Sequence, residues 1–81
     1  MSKIEVMSAR CAKCKRLEVV VRRAIYELDI PAAIIIVSDF ETIRSRGIMS
    51  LPALCVNDKT VLSGAVPDLE GLKALILRSI E

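Results

Sequence analysis

Hydrophobic positions in the first half of the chain recur at two different spacings, and each spacing predicts a different element. Residues 3–7 are apolar at Ile4 and Val6, which is typical of a short strand. From Cys11 onward the apolar residues follow one another at steps of three and four, which predicts a helix with one buried face. That face comprises Cys14, Leu17, Val20, Val21, Ala24, Ile25 and Leu28.

The middle of the chain predicts a second strand followed by a short helix. Residues 32–37 are all apolar and mostly β-branched, without alternation, as in a strand that is covered on both faces. We therefore expect a central parallel strand there. Ser38 and Glu41 match a capping box at the start of a helix, and Gly47 is suited to end it. Residues 39–46 should therefore form a short helix.

The last third of the chain predicts a hairpin and a final helix. Two short strands, residues 53–56 and 60–63, are joined by Asn57-Asp58-Lys59, a good turn sequence, and should form an antiparallel edge. Asp68 is placed to cap the last helix, although Gly71 in its first turn costs up to about 1 kcal/mol relative to alanine. The apolar side of this helix comprises Leu69, Leu72, Leu75, Ile76 and Ile80.

The predicted order is therefore β-α-β-α-β-β-α, an α/β domain with a mixed four-stranded sheet flanked by three helices. It fills residues 1–81, because 81 residues leave room for only one modest core. The final helix distinguishes this order from the β-α-β-β-α-β heavy-metal-associated domain, which also carries Cys-x-x-Cys near its N-terminus. Tyr26 and Phe40 are the only aromatic residues, and both are expected to be packing residues.

Composition and charge argue against several classes of partner. Aromatic residues make up 2% of the chain and the net charge is +2, so there is little material for stacking on bases and no strong basic excess. The longest apolar run, residues 30–37, is far shorter than the roughly 20 residues that span a bilayer. The N-terminus has no secretory hydrophobic region. We expect a cytoplasmic protein that binds neither nucleic acid nor membrane.

Cys11 and Cys14 form a Cys-x-x-Cys pair at the start of the first predicted helix. A thiol is nucleophilic only as thiolate, and the free N–H groups and dipole of a helix N-terminus stabilise that anion. Lys13 adds positive charge, as do Arg10, Lys15 and Arg16, so the pKa of Cys11 should lie below the ordinary value of about 8.5. Cys14 lies on the apolar stripe and should be the buried, resolving thiol.

The same two cysteines are compatible with other kinds of function. A zinc site is disfavoured, because the chain has no second cysteine pair and no histidine to complete four ligands. A module that binds a soft ion such as Cu(I) through Cys11 and Cys14 remains an alternative, as does a redox-inactive binding module.

The third cysteine, Cys55, is not expected to take part in this chemistry. It lies three residues beyond Pro52 on a strand, about 10 Å away, and is expected to be a small core residue.

Two segments carry a resemblance to a known family. Cys11-Ala-Lys-Cys14 and, about forty residues on, Ile48-Met-Ser-Leu-Pro-Ala-Leu54 make the chain similar over nearly its whole length to the small redox-active disulfide proteins, a thioredoxin-like family of prokaryotes. The resemblance implies a minimal thioredoxin fold with a cis Pro52 that faces the cysteines. It also implies that the backbone of Leu51 is free to bind an extended substrate segment.

Activity and further site residues follow from the same resemblance. It implies thiol-disulfide exchange with a protein partner, by a monomer that needs no cofactor and is recharged by an unidentified reductase. Glu5 lies six positions before Cys11, where thioredoxins place a buried carboxylate that helps to deprotonate the resolving cysteine; a solvated charge is the equal alternative. The Ala-Lys dipeptide differs from the usual Gly-Pro, so the family's reduction potential cannot be carried over.

Overall fold

The computed structural model of the protein describes residues 2–9 and 11–80. Its elements follow the predicted order, which confirms the minimal thioredoxin fold. Arg10, which was expected to add positive charge near Cys11, lies outside the described residues. The elements are β1 (Ser2–Met7), α1 (Ala12–Leu28), β2 (Ala32–Val37), α2 (Phe40–Ser45), β3 (Ala53–Val56), β4 (Lys59–Ser63) and α3 (Leu69–Ile80).

The sheet has the strand order β2-β1-β3-β4, with β1 and β2 parallel and the other neighbours antiparallel. The prediction that β2 is central was wrong, since β2 forms one edge and its Ile35 and Ile36 are 41% and 36% exposed. Ile35 and Ile36 lie on opposite faces of β2, so neither face of this edge strand is fully covered, and the continuous apolar run predicted more covering than the fold provides. The central strands are β1 and β3.

Two hydrophobic clusters lie on opposite faces of the sheet. Because side chains alternate along a strand, Ile4 and Val6 of β1 pack on the face that α1 and α3 cover, together with Leu17 and Leu72. On the other face, under α2, lies a smaller cluster of Met7, Ile43, Ile48, Ala53 and Cys55. The predicted core position of Cys55 is confirmed, since this residue is fully buried and has a free thiol. Within the described ranges, no helix is both long and apolar enough to cross a membrane.

The two shorter helices begin at capping aspartates. Asp39, rather than the predicted Ser38, caps α2 by accepting hydrogen bonds from the Glu41 N–H and the Thr42 hydroxyl. Asp68 caps α3 as predicted, because its Oδ1 accepts the N–H of Gly71 at 2.8 Å. A Cβ at position 71 would lie 2.9 Å from that oxygen, so the glycine permits the close approach of the capping carboxylate.

Glu27 links α1 to α3, and this link makes the stability of the fold sensitive to acid. The hydrogen bond from Arg23, and then that from Lys73, hold the pKa of Glu27 below its ordinary value of 4.5. A carboxyl with a lowered folded pKa stabilises the native state above its unfolded pKa, and this contribution is lost as the pH falls through the folded pKa. We expect the free energy of unfolding to fall more steeply between about pH 5 and pH 3 in the wild type than in Glu27→Gln.

Denaturant unfolding at a series of pH values checks this expectation. Glu41→Gln is the matched control, because it removes an exposed carboxylate from α2 and leaves the link between α1 and α3 intact. Identical pH dependence in the wild type and Glu27→Gln would contradict the assignment.

Candidate active site

The two cysteines of the Cys-x-x-Cys pair lie at the N-terminus of α1 and are joined as a disulfide, with their Cα atoms 5.0 Å apart. Cys11 is the N-cap residue, and its Sγ accepts the backbone N–H of Cys14 at 3.1 Å. Such a contact is the kind that stabilises a thiolate at a helix N-terminus. Cys11 is exposed to solvent, whereas Cys14 has no exposed surface.

Cys14 is held from two sides. On α1 it shares the buried face with Leu17 and Val21. From the preceding loop, the N–H of Ala9 approaches its Sγ at 3.3 Å. A partner that reaches this site from solvent therefore meets Cys11 first, and Cys14 is reached through the bond between the two sulfurs.

Basic side chains surround the exposed end of this site. Lys13, Lys15 and Arg16 occupy the first turns of α1 and are all exposed. Within residues 2–9 and 11–80, none of the three forms an ion pair. Their charges are therefore not cancelled by direct partners, and they raise the electrostatic potential at the sulfur of Cys11.

The second motif lies at the same end of the sheet as the cysteines. Ala53 pairs with Met7, the last residue of β1, so Pro52 is placed next to the start of the loop that leads to Cys11. The peptide bond between Leu51 and Pro52 is cis, as the resemblance implied. Pro52 is buried, while the backbone of Leu51 makes no hydrogen bond to any residue the structure describes.

An apolar groove of about 500 Å³ adjoins Leu51. Phe40 and Met49 form its most exposed walls, at 66% and 95% exposure. The expectation that Phe40 and Tyr26 are packing residues was wrong, because Tyr26 is also 82% exposed. Phe40 is the first residue of α2, and the residue that α2 buries is Ile43. The groove is lined by Phe40, Ile43, Arg44, Ile48, Met49 and Leu51.

Glu5 is buried and paired, so the alternative of a solvated charge was wrong. It is 6% exposed, and its two carboxylate oxygens accept hydrogen bonds from Nη1 and Nη2 of Arg46 at 2.5 and 3.0 Å. The hydrogen bond to Glu5 raises the pKa of the Arg46 guanidinium above its usual value. Glu5 lies on the α2 face of the sheet, opposite Cys55 on β3. Its suggested role in deprotonating Cys14 remains a prediction.

Sequence reasoning did not single out Arg46 or Glu18. Arg46 is 41 positions from Glu5, and no local pattern connects the two. Glu18 accepts a hydrogen bond from the hydroxyl of Ser8, a residue that is 1% exposed. One signal for Glu18 was available, since it lies four residues after Cys14 and so on the same side of the helix.

Comparison with known proteins agrees with this geometry. A family model described as a thioredoxin domain matches residues 2–77. A thioredoxin of Methanothermobacter thermautotrophicus (strain Delta H) is 32% identical over 76 residues, which cover 94% of this chain and 99% of the relative. The chain therefore belongs to the thioredoxin family of thiol-disulfide oxidoreductases.

Proposed function

We propose that this chain exchanges its Cys11–Cys14 disulfide and dithiol with disulfides of a protein partner, and that it does so as one domain without a cofactor. The observation that carries the proposal is the arrangement of the pair, with an exposed Cys11 at the helix N-terminus and a fully buried Cys14 bonded to it. This asymmetry supports attack on partners by Cys11 and resolution by Cys14.

The exchange takes place in two displacement steps. The Cys11 thiolate attacks one sulfur of the partner's disulfide, so a mixed disulfide forms and the partner's other sulfur leaves as a thiolate. The Cys14 thiolate then attacks Sγ of Cys11, which forms the Cys11–Cys14 bond and releases the second partner sulfur. The partner's disulfide is reduced to a dithiol, and the chain is oxidised by the same two electrons. The N–H groups of Cys14 and Ala9 are already directed at the two sulfurs.

The surroundings of Leu51 favour a protein as the partner. Its unpaired backbone can hydrogen-bond an extended polypeptide segment, as strands do when they add to an edge. The groove beside it offers apolar contacts at Phe40 and Met49, and an apolar patch next to a reactive group is typical of a protein-binding surface. Glutathione, a small and charged peptide, would leave these contacts unused.

Lys13 is proposed to tune the reactivity of Cys11. Lys13→Ala should raise the pKa of the Cys11 thiol by less than about one pH unit, because a single exposed charge contributes about 1 kcal/mol. It should also make the reduction potential more negative, since the thiolate of the reduced form loses stabilisation. The pH profile of the alkylation rate with iodoacetamide measures the first effect. Lys59→Ala removes the same charge from β4 and should change neither the pKa of Cys11 nor the reduction potential. If the alkylation profile is unchanged in Lys13→Ala, the helix N-terminus alone lowers the pKa of Cys11.

The proposal extends to the cellular setting. A separate reductase recharges the oxidised pair, and the chain acts as a monomer in the cytoplasm. Support comes from the cysteine pattern, because one Cys-x-x-Cys pair and a single cysteine differ from the even, widely spread cysteines of secreted disulfide scaffolds.

Reduction of insulin by the purified protein, with dithiothreitol as the terminal reductant, tests the proposed activity. The wild type should accelerate insulin precipitation, and Cys55→Ser should retain nearly all of this rate. A parallel titration with Cu(I) against a chromogenic chelator tests the metal-binding alternative. Tight Cu(I) binding through Cys11 and Cys14, combined with no reduction of insulin or any other protein disulfide, would replace the oxidoreductase proposal with the metal-binding one.

A further inference from the structure

Two hydrogen bonds connect the loop before α1 to the buried side of the active site. The Ser8 hydroxyl donates to Oε2 of Glu18 at 3.0 Å. The next residue, Ala9, donates its backbone N–H to Sγ of Cys14 at 3.3 Å. Glu18 and Cys14 are thus held against the same two-residue segment.

Helix geometry brings the two side chains together. Residues four apart on a helix are neighbours, with about 5–6 Å between their Cβ atoms. Helical side chains also lean toward the N-terminus, so the carboxylate of Glu18 is directed at the turn that contains Cys14. Glu18 is half-buried, and its Oε1 has no hydrogen bond to a described residue, whereas both oxygens of the buried Glu5 are bound by Arg46.

A cavity beside Glu18 gives this carboxylate a route for proton exchange with solvent. It has a volume of about 500 Å³ and is lined by Ser8, Lys15, Glu18, Ile36 and Ser38. Among the residues that the structure describes, Lys15 on α1 is the only other charged side chain in this lining. The hydroxyl groups come from the loops that follow β1 and β2, and the apolar group comes from β2. Arg22, one turn further along α1, is exposed. The carboxylate therefore lies against a cavity through which it can exchange a proton with solvent.

We propose that Glu18 is the proton acceptor for Cys14 in the resolving step and that Ser8 positions its carboxylate. This inference rests on the proposed exchange reaction. Glu18 takes the proton of the Cys14 thiol, and the resulting thiolate attacks Sγ of Cys11 in the mixed disulfide. The Cys11–Cys14 bond forms, the bond from Cys11 to the partner breaks, and the partner sulfur leaves as a thiolate that is protonated by Glu18 or by water.

A reaction that releases one coloured thiol per step allows the rates of attack by Cys11 and of resolution by Cys14 to be measured separately. Reduced protein is mixed in a stopped-flow instrument with one equivalent of dithiobis(nitrobenzoate). Attack by Cys11 releases the first thionitrobenzoate, and resolution by Cys14 releases the second. Glu18→Gln should slow the second phase at neutral pH by about tenfold or more, since a general base contributes at least this much. The first phase should stay within about twofold.

The pH profile distinguishes a proton acceptor from a merely structural residue. The difference between Glu18→Gln and the wild type should shrink as the pH rises, because hydroxide increasingly ionises the thiol without help from Glu18. Ser8→Ala should slow the second phase to a smaller extent. Glu70→Gln, which removes an exposed carboxylate from α3, should change neither phase.

Each failure has a distinct meaning. An unchanged second phase in Glu18→Gln, a slowing of the same size at every pH, or a slowing seen instead in Glu5→Gln would overturn the role of Glu18. Absence of the first phase in the wild type would overturn the proposed function itself. Circular dichroism of each variant shows whether it is folded, because an exposed thiol also reacts with this reagent in an unfolded chain.

Discussion

Cys14→Ser should turn the chain into a trap that holds its protein partners in long-lived mixed disulfides. Cys11 would still be exposed at the helix N-terminus and would still attack, but no second thiol could displace the partner. Hydroxyls do not attack disulfides at a measurable rate, so the serine cannot replace the resolving sulfur. In cell extracts the variant should form adducts that migrate slowly on non-reducing gels and disappear on addition of dithiothreitol.

Cys11→Ser is the matched variant, and its expected outcome is the opposite. Loss of the exposed sulfur should abolish insulin reduction, and little should be trapped, because Cys14 has no exposed surface from which to reach a bulky partner. Cys55→Ser should resemble the wild type in exchange. If Cys11→Ser trapped partners as efficiently as Cys14→Ser, the assignment of attack to the N-cap cysteine would be wrong.

The strands, the helices and the buried face of α1 that carries Cys14 were predictable because they depend on local patterns. The three-four spacing from Cys14 to Leu28 fixes the buried face of α1, and Asp68 caps α3 as predicted. The cap of α2 shifted by one residue, since both Ser38 and Asp39 carry suitable oxygens and only the backbone geometry decides between them. The edge position of β2 was missed because strand order is set by long-range pairing.

In the candidate site, too, the features that depend on local sequence were predictable and those that depend on long-range contacts were not. The spacing of Cys11 and Cys14 places both at one helix end, and Pro52 could be found from the strand that follows it. The pairing of Glu5 with Arg46 could not be found, because these residues are 41 positions apart and meet only when α2 packs under the sheet. Phe40 was misassigned because an aromatic residue on a short helix looks the same in sequence whether it fills the core or lines a groove.

The buried pair of Glu5 and Arg46 leads to the largest expected effect on stability. Arg46→Met should lower the thermal unfolding midpoint by roughly 10 °C or more, because it leaves the buried carboxylate without its partner. Glu5→Met should cost much less, since the guanidinium of Arg46 is 27% exposed and can turn to solvent. Thermal unfolding followed by circular dichroism measures both midpoints.

The double variant Glu5→Met/Arg46→Met separates loss of the pair from loss of packing. Removal of both charges should recover most of the stability that Arg46→Met loses, because buried ion pairs can often be replaced by apolar side chains at little cost. If the double variant unfolded as early as Arg46→Met, the packing of the Arg46 side chain, and not its charge, would hold α2 to the sheet.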